Sequence, residues 1–147
     1  FVKELSKQVS HVASTRGYIK TLLGRKRRFE LWEPRDEWGQ KAYPLSEAHV
    51  HYPKTELKRA YTHTALNALI QGSSADITKA AMLKIWEDGY LDYIDLKLTI
   101  HDELDFSVDQ LQQKCLNEAI HCMKNCVQIG VPLEVDVEKG SNWGTAK

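Results

Sequence analysis

A chain of 147 residues is long enough for one domain with its own core, and 42% hydrophobic with 27% charged residues is the composition of a globular protein. No apolar run approaches the roughly 20 residues that a membrane-spanning helix needs. The zero net charge conceals an asymmetry. Residues 1–28 carry eight Lys and Arg against Glu4 alone, while the remainder carries 12 basic and 19 acidic side chains. A basic end facing an acidic body suits a polyanionic partner on one side and cation sites on the other, although charged solvated faces produce the same count.

In chain order, Val2, Leu5, Val9 and Val12 recur at helical spacing, which predicts a helix over residues 1–15 ended by Gly17. Tyr18–Leu23 reads as a short extended segment, followed by the basic turn Gly24–Arg28. Residues 29–60 hold Pro34, Gly39, Pro44 and Pro53, with Trp32 and Trp38 among charges, and read as a long irregular excursion over the surface. A long helix is expected over residues 55–88, with Leu66, Leu69, Ile70, Ile77, Ala80, Ala81 and Ile85 as its apolar stripe. Gly72 interrupts that helix at a cost of roughly 1 kcal/mol against Ala, which is easier to explain if something approaches the backbone there.

Two alternating strands, Leu96–Ile100 and Leu104–Val108, meet at His101-Asp102-Glu103. An amphipathic helix over residues 110–127 would turn Leu111, Leu116, Ala119, Ile120 and Met123 inward. A third strand is expected where Leu133, Val135 and Val137 alternate with Glu134, Asp136 and Glu138. The order of these elements predicts an α+β fold, with an antiparallel sheet backed by helices. The chain starts at Phe1-Val2-Lys3-Glu4-Leu5 with neither a signal pattern nor an initiator Met, so it reads as a piece of a longer protein. Cys115, Cys122 and Cys126 lie in one helical stretch. Their odd number and spacing argue for free thiols in a reducing compartment, and for apolar packing over a zinc site with His121.

Two groupings carry chemistry. Asp102 and Glu103 are adjacent carboxylates at a strand turn, where flanking strands would hold them as a metal site requires. Carboxylates suit Mg²⁺, although Asp is also an ordinary hairpin-tip residue. His63, Asn67 and Gln71 recur every fourth residue and share one helix face. Amides there could meet minor-groove acceptors, a nearly sequence-degenerate reading suited to a copying enzyme, although a plain exposed face has the same pattern. The cations of Arg25–Arg28 suit phosphate contacts, which position a duplex without reading it, although a solvated or partner-facing loop carries the same run.

Four blocks together resemble a known family. Gly17–Arg27 resembles the G-Y-x-x-T-x-x-G-R-[RK] segment of family A, polymerase I-like DNA polymerases. Leu66–Asp76 is similar to their N-x-x-[IVLM]-Q-G-[TS]-A-A-D helix. Ile100–Leu104 resembles motif C, V-H-D-E-[LIV], and Gly140–Trp143 the terminal G-x-[ND]-W. The resemblance implies the C-terminal portion of a DNA-directed DNA polymerase, of phage flavour. The fold would be a palm-type sheet with the motif C hairpin, preceded by part of the fingers. Residues 1–28 would end the fingers, 29–55 form an insertion, and 56–147 form the palm.

The same resemblance implies roles. Asp102 would bind catalytic Mg²⁺ and Glu103 support it near the primer end. His101 would contact the primer-terminal backbone. Asn67, Gln71 and His63 would face the minor groove, and Arg25 and Lys26 would hold the primer–template backbone; Asp76 is read as structural. Many members have Arg where this chain has His63, and some phage-type members have His. Partners would be primer–template DNA, deoxynucleoside triphosphates and an N-terminal polymerase portion, with no membrane, in a bacterial or phage-infected cytoplasm. Motif A (D-x-S-x-x-E) and the nucleotide-gripping fingers helix do not occur in residues 1–147, so this chain alone is expected to be inactive. The rival class is a non-catalytic nucleic-acid-binding module or a subunit of a split polymerase; a small metal-dependent nuclease fits least.

Overall fold

The computed structural model describes residues 1–37 and 39–146, so Trp38 and Lys147 lie outside the described residues. The chain forms two compact units, Phe1–Asp76 and Ile77–Lys147. Helices and small antiparallel sheets make a mixed α+β fold.

The first unit opens with α1 (Val2–Arg16). Gly17 ends it at φ 77°, and its N–H bonds the Ala13 carbonyl at 3.0 Å, the left-handed cap that Gly adopts without a Cβ penalty. Strands β1 (Tyr18–Lys20) and β2 (Lys26–Arg28) form an antiparallel ribbon, so the last three residues of the expected basic turn Gly24–Arg28 are strand. Ala13, Ile19, Phe29 and Ala65 form the buried core, packed against Val9, Ala68 and Leu69.

Residues 29–60 are more ordered than their proline content suggests. β3 (Leu31–Pro34) is flanked by β4 (Tyr43–Pro44) and β5 (Leu57–Arg59), and α2 (Leu45–His51) follows β4. Phe29, Pro34, Ala42 and Ala48 are buried, so the segment is not a purely surface excursion. The Arg59 guanidinium lies 4.6 Å from the Trp32 ring centroid, a cation–π contact that ties β5 to β3. Pairing with β3 also explains why the long helix starts later than expected. Residues 57–59 are strand, Thr62–Thr64 is a 3₁₀ turn, and α3 runs Ala65–Glu87.

In the second unit, β6 (Asp95–Ile100) and β7 (Glu103–Ser107) form the expected hairpin. Lys97 is skipped in the register, so Leu96 opposes Phe106 while Leu98 opposes Asp105. Opposed residues share a face and neighbours in β7 do not, so this bulge puts Leu98 on the face opposite Leu96. Leu98 is accordingly exposed, whereas Leu104 and Phe106 pack on the buried cluster of Ile85, Ile94, Ala119 and Cys122.

α4 (Gln113–Asn125) follows a 3₁₀ turn, Gln110–Gln112, in which the Asp109 carboxylate accepts the Leu111 N–H at 2.9 Å. Leu111 lies in that turn and is 89% exposed, contrary to its expected inward position. Leu133–Glu138 takes no strand conformation. Its alternation has the right period, but a strand also needs a neighbour to complete its backbone hydrogen bonds.

Cys122 is part of the core and Cys115 packs against it. Burial, and then a hydrogen bond to Asp88 at 3.3 Å, push the Cys122 thiol up to about 11. The thiolate is the reactive form. Alkylation of Cys122 by iodoacetamide at pH 8 is therefore expected to be at least about tenfold slower than that of a free cysteine, as read by mass spectrometry. The folded state favours the protonated thiol, so its contribution to stability is complete below about pH 9 and lost as pH rises to about 11.

Candidate active site and nucleic-acid interface

In the first unit, the β1–β2 register opposes Lys20 to Lys26 and Tyr18 to Arg28. These four residues share one face of the ribbon, and Lys20, Lys26 and Arg28 are all exposed. Like charges placed directly opposite destabilise a ribbon on their own, and an anion bound across them removes that cost. The Lys26 ammonium lies 4.9 Å from the Tyr18 ring centroid, which offsets part of it.

Arg25 is engaged within the fold. Its Nε donates to Asp76 Oδ1 at 2.7 Å and its guanidinium NH2 donates to the Gly72 carbonyl at 3.0 Å, with the side chain still half exposed. Asp76 is buried, and its Oδ2 accepts from the Thr21 hydroxyl at 2.5 Å. Thr21 Oγ1 also accepts the Arg25 backbone N–H at 3.0 Å, and Ser73 Oγ accepts the Leu22 N–H at 2.9 Å. A Cβ on Gly72 would sit 2.8 Å from the Thr21 methyl, so the close approach anticipated at this glycine is made by Thr21. Thr21 and Ser73 were missed as individual residues. The threonine stands in the quoted motif, but 55 positions separate it from the aspartate it bonds.

Asn67 and Gln71 lie on α3 and His63 in the 3₁₀ turn just before it, and all three side chains are exposed. The helix is continuous only from Ala65, so the strict one-face relation holds for the two amides.

In the second unit, Ile100 pairs with Glu103, leaving His101 and Asp102 as a two-residue turn. His101 has φ 53°, a left-handed value that costs a non-glycine residue of the order of 1 kcal/mol. The Thr78 hydroxyl of α3 donates to the His101 carbonyl at 3.5 Å. His101, Asp102 and Glu103 are exposed. Glu103 and Asp105 share the face of β7 that turns away from Leu104 and Phe106. Among the described residues no group of three or more His, Cys, Asp or Glu gathers as a metal site. Asp102 and Glu103 are hard oxygen donors of the kind that suits Mg²⁺, and two carboxylates alone do not fill an octahedral set.

The first unit thus carries a ribbon with a cationic face and a helix with exposed amides, and the second a hairpin end with two exposed carboxylates. The model of DNA polymerase family A matches residues 1–145, and the chain belongs to that family. It is 39% identical, over 98% of its length, to a DNA-directed DNA polymerase of Pseudomonas phage M6. It is 34% identical, over 92% of its length, to DNA polymerase I of Synechocystis. It covers 18% and 14% of these relatives, so it spans less than a fifth of each. Among solved structures, it resembles the POL domain of Pol1 from M. smegmatis, determined in complex with DNA primer–template and dNTP. The TM-score is 0.73 at 31% identity, covering 99% of this chain and 23% of that one. Among the described residues no helix is long and apolar enough to cross a membrane.

Proposed function

We propose that this chain is the C-terminal palm portion of a DNA-directed DNA polymerase, contributing one half of a two-metal site for template-directed nucleotidyl transfer. The observation that carries the reading is the tight end of a paired hairpin packed on the core of its unit, with Asp102 in the two-residue turn and Glu103 opening β7 beside it. Asp102 would hold catalytic Mg²⁺, with Glu103 supporting it beside the primer end. His101 contacts the primer-terminal backbone. Asn67, Gln71 and His63 face the minor groove, where amides sense base-pair shape rather than identity. Arg25 and Lys26 belong to the phosphate-binding turn, with Lys20 and Arg28 on the same ribbon. When bound, Mg²⁺ would lower the pKa of the primer 3′-hydroxyl and stabilise the leaving pyrophosphate.

Residues 1–28 are assigned to the end of the fingers, 29–55 to an insertion and 56–147 to the palm, an assignment supported by the order of the four motifs. The partners are primer–template DNA, deoxynucleoside triphosphates and an upstream polymerase portion carrying motif A, in a bacterial or phage-infected cytoplasm. The phage and bacterial sources of the relatives support that setting.

Two-metal phosphoryl transfer needs carboxylates that clamp both ions, and a single motif C pair cannot supply that clamp. Residues 1–147 with Mg²⁺, primer–template and all four nucleotides are therefore expected to give no extension above a no-protein control on a sequencing gel. Clear template-dependent extension would refute this.

A further inference from the structure

We propose that Asp76 is a positioning residue for duplex binding, acting through Arg25 and Thr21 to clamp the cationic β1–β2 ribbon onto the helix that carries Asn67 and Gln71. The proposal rests on the reading that this unit meets a DNA duplex, and it gives Arg25 a second task, as the anchor of the ribbon rather than only a contact to phosphate.

A ribbon with three residues per strand is marginal on its own and needs tethering to hold an orientation. The tether is dense. Within the turn Thr21–Arg25, the Thr21 hydroxyl, the Leu22 N–H and the Arg25 guanidinium all reach Gly72, Ser73 or Asp76 of α3. The Thr21 hydroxyl also accepts the Arg25 N–H, closing the turn on itself. Gly72 leaves the space that the Thr21 methyl occupies. Asp76 lies five residues beyond Gln71, about 7.5 Å along the helix axis. Five residues is also about 140° around the helix, so the turn is locked to the side of α3 turned away from Asn67 and Gln71, and Lys20, Lys26 and Arg28 are held in a fixed position relative to that helix.

Electrostatics alone argues against a carboxylate here, because its charge opposes the attraction of the cationic ribbon for phosphate. Charge and geometry therefore predict opposite signs for its removal, which makes the proposal testable. The measurement is binding of a fluorescein-labelled primer–template duplex to the 147-residue chain by anisotropy, across a salt series. Asp76→Asn keeps the shape and removes the negative charge. It is expected to bind about tenfold more weakly, with a shallower salt dependence, because misplaced cations release fewer counterions. Tighter or unchanged binding by folded Asp76→Asn overturns the proposal.

Thr21→Val changes no charge and tests the same tether should Asp76→Asn fail to fold. It is expected to weaken binding about threefold with an unchanged circular dichroism spectrum, and unchanged affinity overturns the proposal. Arg25→Lys keeps the charge but loses the fork, and should match Asp76→Asn, with the double variant no worse than either single one. If the parent chain binds no duplex, the functional reading itself fails. If Asn67→Ala and Gln71→Ala weaken binding while Asp76→Asn and Thr21→Val do not, only the clamp fails.

Discussion

Asp102→Ala is expected to abolish complementation while leaving duplex binding intact. In the assay, residues 1–147 are mixed with a family A polymerase truncated before its own C-terminal segment, and primer extension is followed. The parent chain should restore extension. The variant should do so more than about 100-fold more slowly, because loss of a direct ligand exceeds the 10- to 100-fold typical of groups that merely orient ligands. The physical reason is geometric. Mg²⁺ usually keeps several waters and binds through one or two carboxylates, and a water in the place of Asp102 would carry neither its negative charge nor a position fixed by a paired turn. Duplex affinity should change less than about twofold, since phosphate contacts supply most of it and the cationic ribbon belongs to the other unit. A variant that complements as well as the parent would favour a non-catalytic binding module, in which the acidic turn is dispensable.

Ile85→Ala should be among the most destabilising single changes in the second unit, at about 3 kcal/mol. Ile85 is 1% exposed and belongs to the cluster against which Leu104 and Phe106 of the hairpin pack. Truncation removes the transfer free energy of the buried carbons and leaves a cavity, typically 2–5 kcal/mol for Ile to Ala. Against a total stability of roughly 5–15 kcal/mol this is a large fraction. Urea unfolding followed by circular dichroism should show a lower midpoint at unchanged slope. Leu111→Ala is the matched control. Its side chain is 89% exposed, so its cost should stay within about 0.5 kcal/mol. Equal losses for the two would mean that the helix buries the face first expected from its periodicity.

The elements that local signals define were legible. α1 has apolar residues at helical spacing and a glycine stop, and it forms from Val2 to Arg16. The motif C hairpin has two alternating runs around three polar residues, and it forms with His101 and Asp102 at the turn and Glu103 as the first residue of β7. The four motif blocks identified the family, and the match extends over residues 1–145. The illegible parts depend on distant partners. Leu57, Lys58 and Arg59 have ordinary helix propensities, yet they are strand because β3 offers them a ladder. Leu133–Glu138 has ideal alternation but no strand conformation. Leu98 matches the Leu96 pattern in sequence, and a single unpaired Lys97 turns it to the other face.

The sequence by itself determined the polymerase family, the α+β class and the placement of Asp102 and Glu103 at a strand turn. Periodicity, glycine stops and contiguous motifs are local properties, and a linear chain displays them directly. Only the tertiary structure decided that His101 takes a left-handed conformation at the turn, with its carbonyl accepting from the Thr78 hydroxyl. It also decided that Asp76 is the partner of Arg25 and Thr21. Those bonds join residues 23 to 55 positions apart. Each closes a loop whose entropy must be offset by packing elsewhere in the fold, and no pattern within a single motif records that balance.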